Sequence, residues 1–191
     1  MKMKLILAIF LLFSMSSYSQ YQLKIKFNNG AEKIDNYKAK GWNLTSLTTG
    51  KKYHLNEMKE VTYYSENDSI HYYVIDTKTY LKSKKSRKNL ARKKFEGKNI
   101  ELYYVYFNWT QNHTNGVMSN NSYDEAFVKK KNEKFAYNIG YIYGAGYKGI
   151  KKRVRKYFSD CPDLINKVNK NKIKKKNTLG IVEYYNKNCA E

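Results

Sequence analysis

The chain has 191 residues and carries 37 Lys and Arg against 16 Asp and Glu, a formal net charge of +21. With 2 Cys and 3 His it excludes a disulfide-dense scaffold and a thiolate-rich metal site, and past its first residues no apolar run is long enough to cross a bilayer as a helix. The positive field attracts polyanions, and the length suits one domain with a real core.

Lys2 and Lys4 open the chain with positive charge, residues 5–13 are an unbroken apolar run, and Ser17 and Ser19 form a small-residue cleavage site. Nine apolar residues rise only about 14 Å as a helix, roughly half of a hydrocarbon core. Residues 1–19 are therefore expected to be a signal peptide cleaved near Ser19. No Cys follows that site, so a lipid anchor is not expected. Residues 20–191 are read as one secreted or periplasmic domain, β-rich over 20–147 and helical over 148–191.

Residues 21–27 alternate, with Tyr21, Leu23, Ile25 and Phe27 on one face, and Asn29-Gly30 supplies a hairpin turn. Further strands are expected at 42–47, 52–55, 60–65 and 70–75, with turns at Thr49-Gly50 and at 66–68. Residues 82–94 hold eight basic residues and no acid, and read as a basic surface loop or a helical insertion. The densest β-branched and aromatic run, 100–109, predicts the strongest strand. Residues 108–122 are polar and read as a long loop. Residues 126–130 and 134–143 predict a hairpin turning near Asn132.

The period then changes. Ile150, Val154, Tyr157 and Phe158 form a helical stripe. Cys161 or Asp160 caps a second helix with Pro162 in its first turn and Leu164, Ile165 and Val168 apolar. Residues 170–176 are a charged connector. A third helix over 179–185 holds Ile181, Val182 and Tyr185. Cys161 opens helix two and Cys189 closes helix three, so an antiparallel helix pair brings the two within bridging distance, and one disulfide is expected. The fold class is α+β: an antiparallel β-meander followed by a helical segment stapled by that disulfide.

Three stretches, 50–62, 95–104 and 157–164 with 181–186, carry a resemblance. The last reads Tyr157-Phe-Ser-Asp-Cys-Pro-Asp-Leu and Ile181-Val-Glu-Tyr-Tyr-Asn. Together they resemble a group of uncharacterised exported proteins of Bacteroidetes-type bacteria, over most of the chain. The resemblance implies location and approximate architecture and carries over no catalytic residue. Residues 140–149 depart from that group's pattern.

The chemical motifs are weak. Gly144, Gly146 and Gly149 spell G-x-G-x-x-G, but too little chain follows for a second parallel strand and its acidic residue, so no cofactor is assigned. His54, His71 and His113 have no Cys, Asp or Glu at ligand spacing, so no metal is assigned. Asp124-Glu125 are adjacent carboxylates, and Cys161 with His113 is a conceivable nucleophile and base, but a structural disulfide accounts for Cys161 more simply. No catalytic residue is assigned. Paired tyrosines, as at 63–64, 72–73 and 103–104, point to opposite faces of a strand.

The candidate anion-binding residues are Lys84, Lys85, Arg87, Lys88, Arg92, Lys151, Lys152, Arg153 and Arg155, within basic clusters at 82–94, 148–156 and 170–176. The expected function is a non-catalytic exported domain that binds an anionic glycan, lipopolysaccharide or membrane surface. Nucleic acid is not expected outside the cytoplasm. Two alternatives stand beside it: a protein-binding envelope adaptor, marked by an exposed apolar patch, and a secreted hydrolase, marked by convergent carboxylates. The charge itself has two readings, a functional field or a composition rich in Lys, Asn, Tyr and Ile.

Overall fold

The computed structural model describes residues 21–66, 68–112, 118–141 and 149–189. The leader at 1–19, His113 and most of the glycine motif lie outside the described residues. In chain order the strands are β1 (Tyr21–Phe27), β2 (Glu32–Lys40), β3 (Asn43–Ser46) and β4 (Lys52–His54), then a 3₁₀ turn (Leu55–Glu57), then β5 (Met58–Tyr64) and β6 (Ser69–Lys78). They continue with β7 (Arg87–Glu96), β8 (Ile100–Asn112), β9 (Met118–Lys130) and β10 (Ala136–Tyr141). Helices α1 (Ile150–Tyr157), α2 (Pro162–Asn169) and α3 (Thr178–Asn188) follow.

All these strands join one sheet in the order β10-β9-β8-β7-β6-β5-β1-β2-β3-β4. The sheet is mixed, which corrects the expectation of a purely antiparallel meander. β5 returns to pair with β1, and β10 pairs parallel with β6 through Ala136↔Thr77 and Tyr137↔Lys78. The cause lies on one edge of β6. β5 occupies that edge only from Ser69 to Tyr73, so the half beyond it is open to β10. Strands β6 to β10 thereby close into a ring.

Side chains on paired residues share a face, so the register sorts the core. Ile75, Ala91, Tyr103, Val105, Phe127 and Ala136 meet inside the ring. The opposite face of β8, β9 and β10 presents Ile100, Leu102, Ala126, Val128 and Ile139 to the helices. Tyr103 and Tyr104 thus serve two cores: Tyr103 lies inside the ring, and Tyr104 packs against the helical cluster. A third cluster gathers Leu23, Ile25, Phe27, Tyr37, Met58 and Val61 under β1 to β5.

Two segments differ from their sequence reading. Residues 87–96 form β7, not a basic loop or helical insertion, because Asn89 and Ala91 turn inward while Lys88 and Arg92 meet Asp76 and Asp124. The described parts of 108–122 are not loop: they pair as the outer half of the β8–β9 hairpin, out to Asn112↔Met118. β2 was not foreseen, since Tyr37 is its one buried residue.

The helical segment follows its sequence. The α1 stripe Ile150, Val154, Tyr157 and Phe158 is buried. Cys161 is the N-cap of α2 with Pro162 in its first turn, and the Asn177 side chain caps α3 through Gly180 N at 2.9 Å. Cys161 and Cys189 are joined, with their Cα atoms 5.6 Å apart. Closing that loop is worth about 3.5 kcal/mol in the chain-entropy account. Gly140 lets α1 approach β10, because a Cβ there would lie 2.5 Å from Ile150 Cγ1.

Candidate functional site

Arg153, on the face of α1 that meets the ring, anchors the first arrangement. Its guanidinium donates to Thr79 O at 3.2 Å, to Asn138 O at 3.3 Å and to Asn138 Oδ1. It also lies 5.0 Å from the ring centroid of Tyr80. These contacts fix α1 against the β6–β7 connection. One helical turn away from Arg153, Lys156 lines a cavity of about 450 Å³ together with Lys82, Tyr80, Tyr137 and Tyr157. At the other end of α1, Lys151 Nζ donates to Asn169 O at 2.9 Å, where the 170–176 connector begins. Helix α1 therefore touches the flanks of both other basic clusters. The segments 77–95, 149–159 and 164–182 contain no Asp or Glu, and the acids that reach the cavity come from β9 and the turn after it, with Glu125 facing Arg153 and Glu133 accepting from Tyr157.

The nine candidate residues separate into distinct roles. Lys84, Lys85, Lys152 and Arg155 are exposed. Lys151 and Arg153 are spent on carbonyl and amide oxygens, which fixes their position, and Arg153 also lies within electrostatic reach of Glu125. Lys88 pairs with Asp76 at 3.2 Å and Arg92 with Asp124 at 3.3 Å, so these two are neutralised. Arg87 lies at a different cavity. Lys82 and Lys156 were not among the candidates, although both fall within the basic clusters, and Tyr80 and Tyr137 carried no local signal at all.

The second cavity, about 680 Å³, opens at the polar end of the ring. The register stacks Thr77, Arg87, Phe107 and Tyr123 beyond Ile75, Asn89, Val105 and Glu125. Asn89 Nδ2 donates to Thr77 Oγ1 at 2.6 Å, and Thr77 Oγ1 donates to Arg87 O at 3.1 Å. Glu125 is 9% exposed and its Oε2 accepts from Asn138 Nδ2 at 2.5 Å. Burial pushes the Glu125 carboxyl above its ordinary range, against the opposing pull of Asn138, Arg153, Tyr123 and Arg87. Asn138 thus links the two cavities: it meets Glu125 on one side and Arg153 on the other.

The chemical motifs are placed as follows. Asp124 and Glu125 point to opposite faces of β9, one to Arg92 and one into the ring, so they do not converge on one substrate. Cys161 is held in the disulfide. His54 Nδ1 caps the 3₁₀ turn by accepting from Asn56 N, and His71 Nδ1 lies 2.9 Å from Thr62 Oγ1. Among the described residues no three His, Cys, Asp or Glu gather as a metal site. No helix among them is long and apolar enough to cross a membrane. Comparison with protein families, with curated proteins and with solved structures finds no match.

Proposed function

We propose that the chain is an exported, non-catalytic binding domain whose basic face, assembled along α1, docks on phosphate-bearing surfaces of the cell envelope. The supporting observation is the convergence at α1, where Arg153 grips the β6–β7 connection and Lys151 grips the end of α2. Three separate lysine-rich segments then act as one field.

The kind of cation left open favours a surface over a single discrete anion. Arginine grips one phosphate bidentately, whereas lysine is a compact point charge. Three of the four arginines are engaged or aimed elsewhere: Arg92 on Asp124, Arg153 on Asn138 and Thr79, and Arg87 at the other cavity. Apart from Arg155, the outward charges, Lys82, Lys84, Lys85, Lys152 and Lys156 among them, are lysines. Such a field suits an anionic headgroup layer, where each Lys adds about 1 kcal/mol. The disulfide agrees with an oxidising compartment outside the cytoplasm.

The test is cosedimentation with vesicles of phosphatidylglycerol and phosphatidylcholine, and with phosphatidylcholine alone. Binding is expected only to the anionic vesicles, weakening at least about tenfold between low salt and 0.5 M. Equal binding to both, or binding indifferent to salt, contradicts the proposal.

A further inference from the structure

The cavity at the polar end of the ring is separate from the basic face, and its lining is of a different kind. Its rim carries Trp42, which is 51% exposed although it is one of the chain's 2 tryptophans. This ring is not on a loose loop. Trp42 occupies the two-residue turn between Lys40 and Asn43, where Gly41 takes a φ of +58° that an L side chain rarely adopts. The turn is pinned from below, with Leu55 N donating to Trp42 O at 2.9 Å. The backbone that carries this large aromatic is thereby fixed at the mouth of a cavity. The exposed indole offers a flat apolar plate beside the polar lining of the cavity.

The floor indicates the occupant's chemistry. Asn89 and Glu125 present planar amide and carboxylate groups, and Arg87 adds a guanidinium at the rim. Asn89 spends its Nδ2 on Thr77 and is held in place by that bond. An anionic ligand would meet the buried Glu125. A cationic ligand would meet Arg87 and the protein's large positive field. The charges of Arg87 and Glu125 offset each other locally, which favours an uncharged polar ligand. Paired vicinal hydroxyls match planar carboxylate, amide and guanidinium edges, and a face of C–H groups matches an indole plate.

We infer that this cavity binds a neutral sugar, with a pyranose ring against Trp42 and its hydroxyls on Asn89, Glu125 and Arg87. The site stands independently of the basic face: it needs no anion and predicts no salt dependence.

The experiment uses the disulfide-bonded protein with Trp109→Phe, so that Trp42 is the only indole. Cellobiose, maltose and N,N′-diacetylchitobiose are titrated as uncharged probes. At least one is expected to change Trp42 emission saturably, with a Kd of about 1 mM, unchanged by 0.5 M salt. By calorimetry on otherwise unmodified protein, Trp42→Ala and Arg87→Met should each weaken that sugar about tenfold. Both residues are exposed, and because Arg87 also faces Glu125, a cooperative melting curve for each variant establishes the fold before binding is read. The inference is overturned if no probe saturates by about 20 mM. Equal affinity in Trp42→Ala, or a response confined to a fatty acid or to glucuronate, also overturns it.

Discussion

Asp124 and Glu125 are neighbours in sequence and occupy opposite sides of one strand. Asp124 faces Arg92 on the outside, while Glu125 faces Asn138, Tyr123 and two arginines within. The pleat alone separates them, which is why adjacent carboxylates in a strand are poor evidence for acid–base chemistry. Burial costs Glu125 its charge more than its partners restore, so its carboxyl titrates above the unfolded value. The folded protein then holds this proton more tightly than the unfolded chain. Glu125 therefore penalises the fold fully above its folded pKa, and the penalty disappears as pH falls below the unfolded value near 4.5. Glu125→Gln keeps an acceptor for Asn138 and removes the titration. Its Tm should exceed that of the wild type at pH 7, with the gap closing toward pH 4.5. A gap independent of pH would show that the carboxyl does not titrate in this range.

At the scale of elements, α1 organises the molecule, and its seat depends on a missing side chain. A Cβ at position 140 would lie 2.5 Å from Ile150 Cγ1, deep in the helical cluster. Gly140→Ala should therefore cost about 1–3 kcal/mol by overpacking, measured as a lowered urea midpoint. An unchanged midpoint would mean that α1 shifts freely, and with it the basic face. The helices were legible because a 3.6-residue stripe and terminal cysteines are local signals, and Ile150, Val154, Tyr157 and both Cys fell where their spacing placed them. β7 was not legible. Its inward positions are Asn89 and Ala91, and its outward Lys88 and Arg92 are matched by acids on β6 and β9, partners no local window contains. β2 hid for a related reason, with Tyr37 as its one buried side chain. The closing pair β10–β6 depends on where β5 stops along an edge, which is a property of the sheet and not of any segment. The basic clusters could be counted from sequence. The groove that places Lys82 beside Lys156 could not, because it depends on Arg153 reaching Thr79 across that sheet.

For the whole molecule, net charge and charge placement make different demands. A composition rich in lysine would spread its effect evenly, so any lysine would count alike in binding. A face assembled along α1 weights a few lysines far above the others. The acid-free segments 77–95, 149–159 and 164–182 meet at that helix, while β1 to β5 carry lysines interleaved with Glu32, Asp35, Glu57 and Glu60. The most direct measurement compares two triple variants of equal net charge on anionic vesicles at low salt. One is Lys82→Gln, Lys156→Gln and Lys174→Gln; the other is Lys40→Gln, Lys52→Gln and Lys59→Gln. The first should weaken binding about 100-fold, and the second less than about threefold. Equal losses in the two would contradict a binding face at α1.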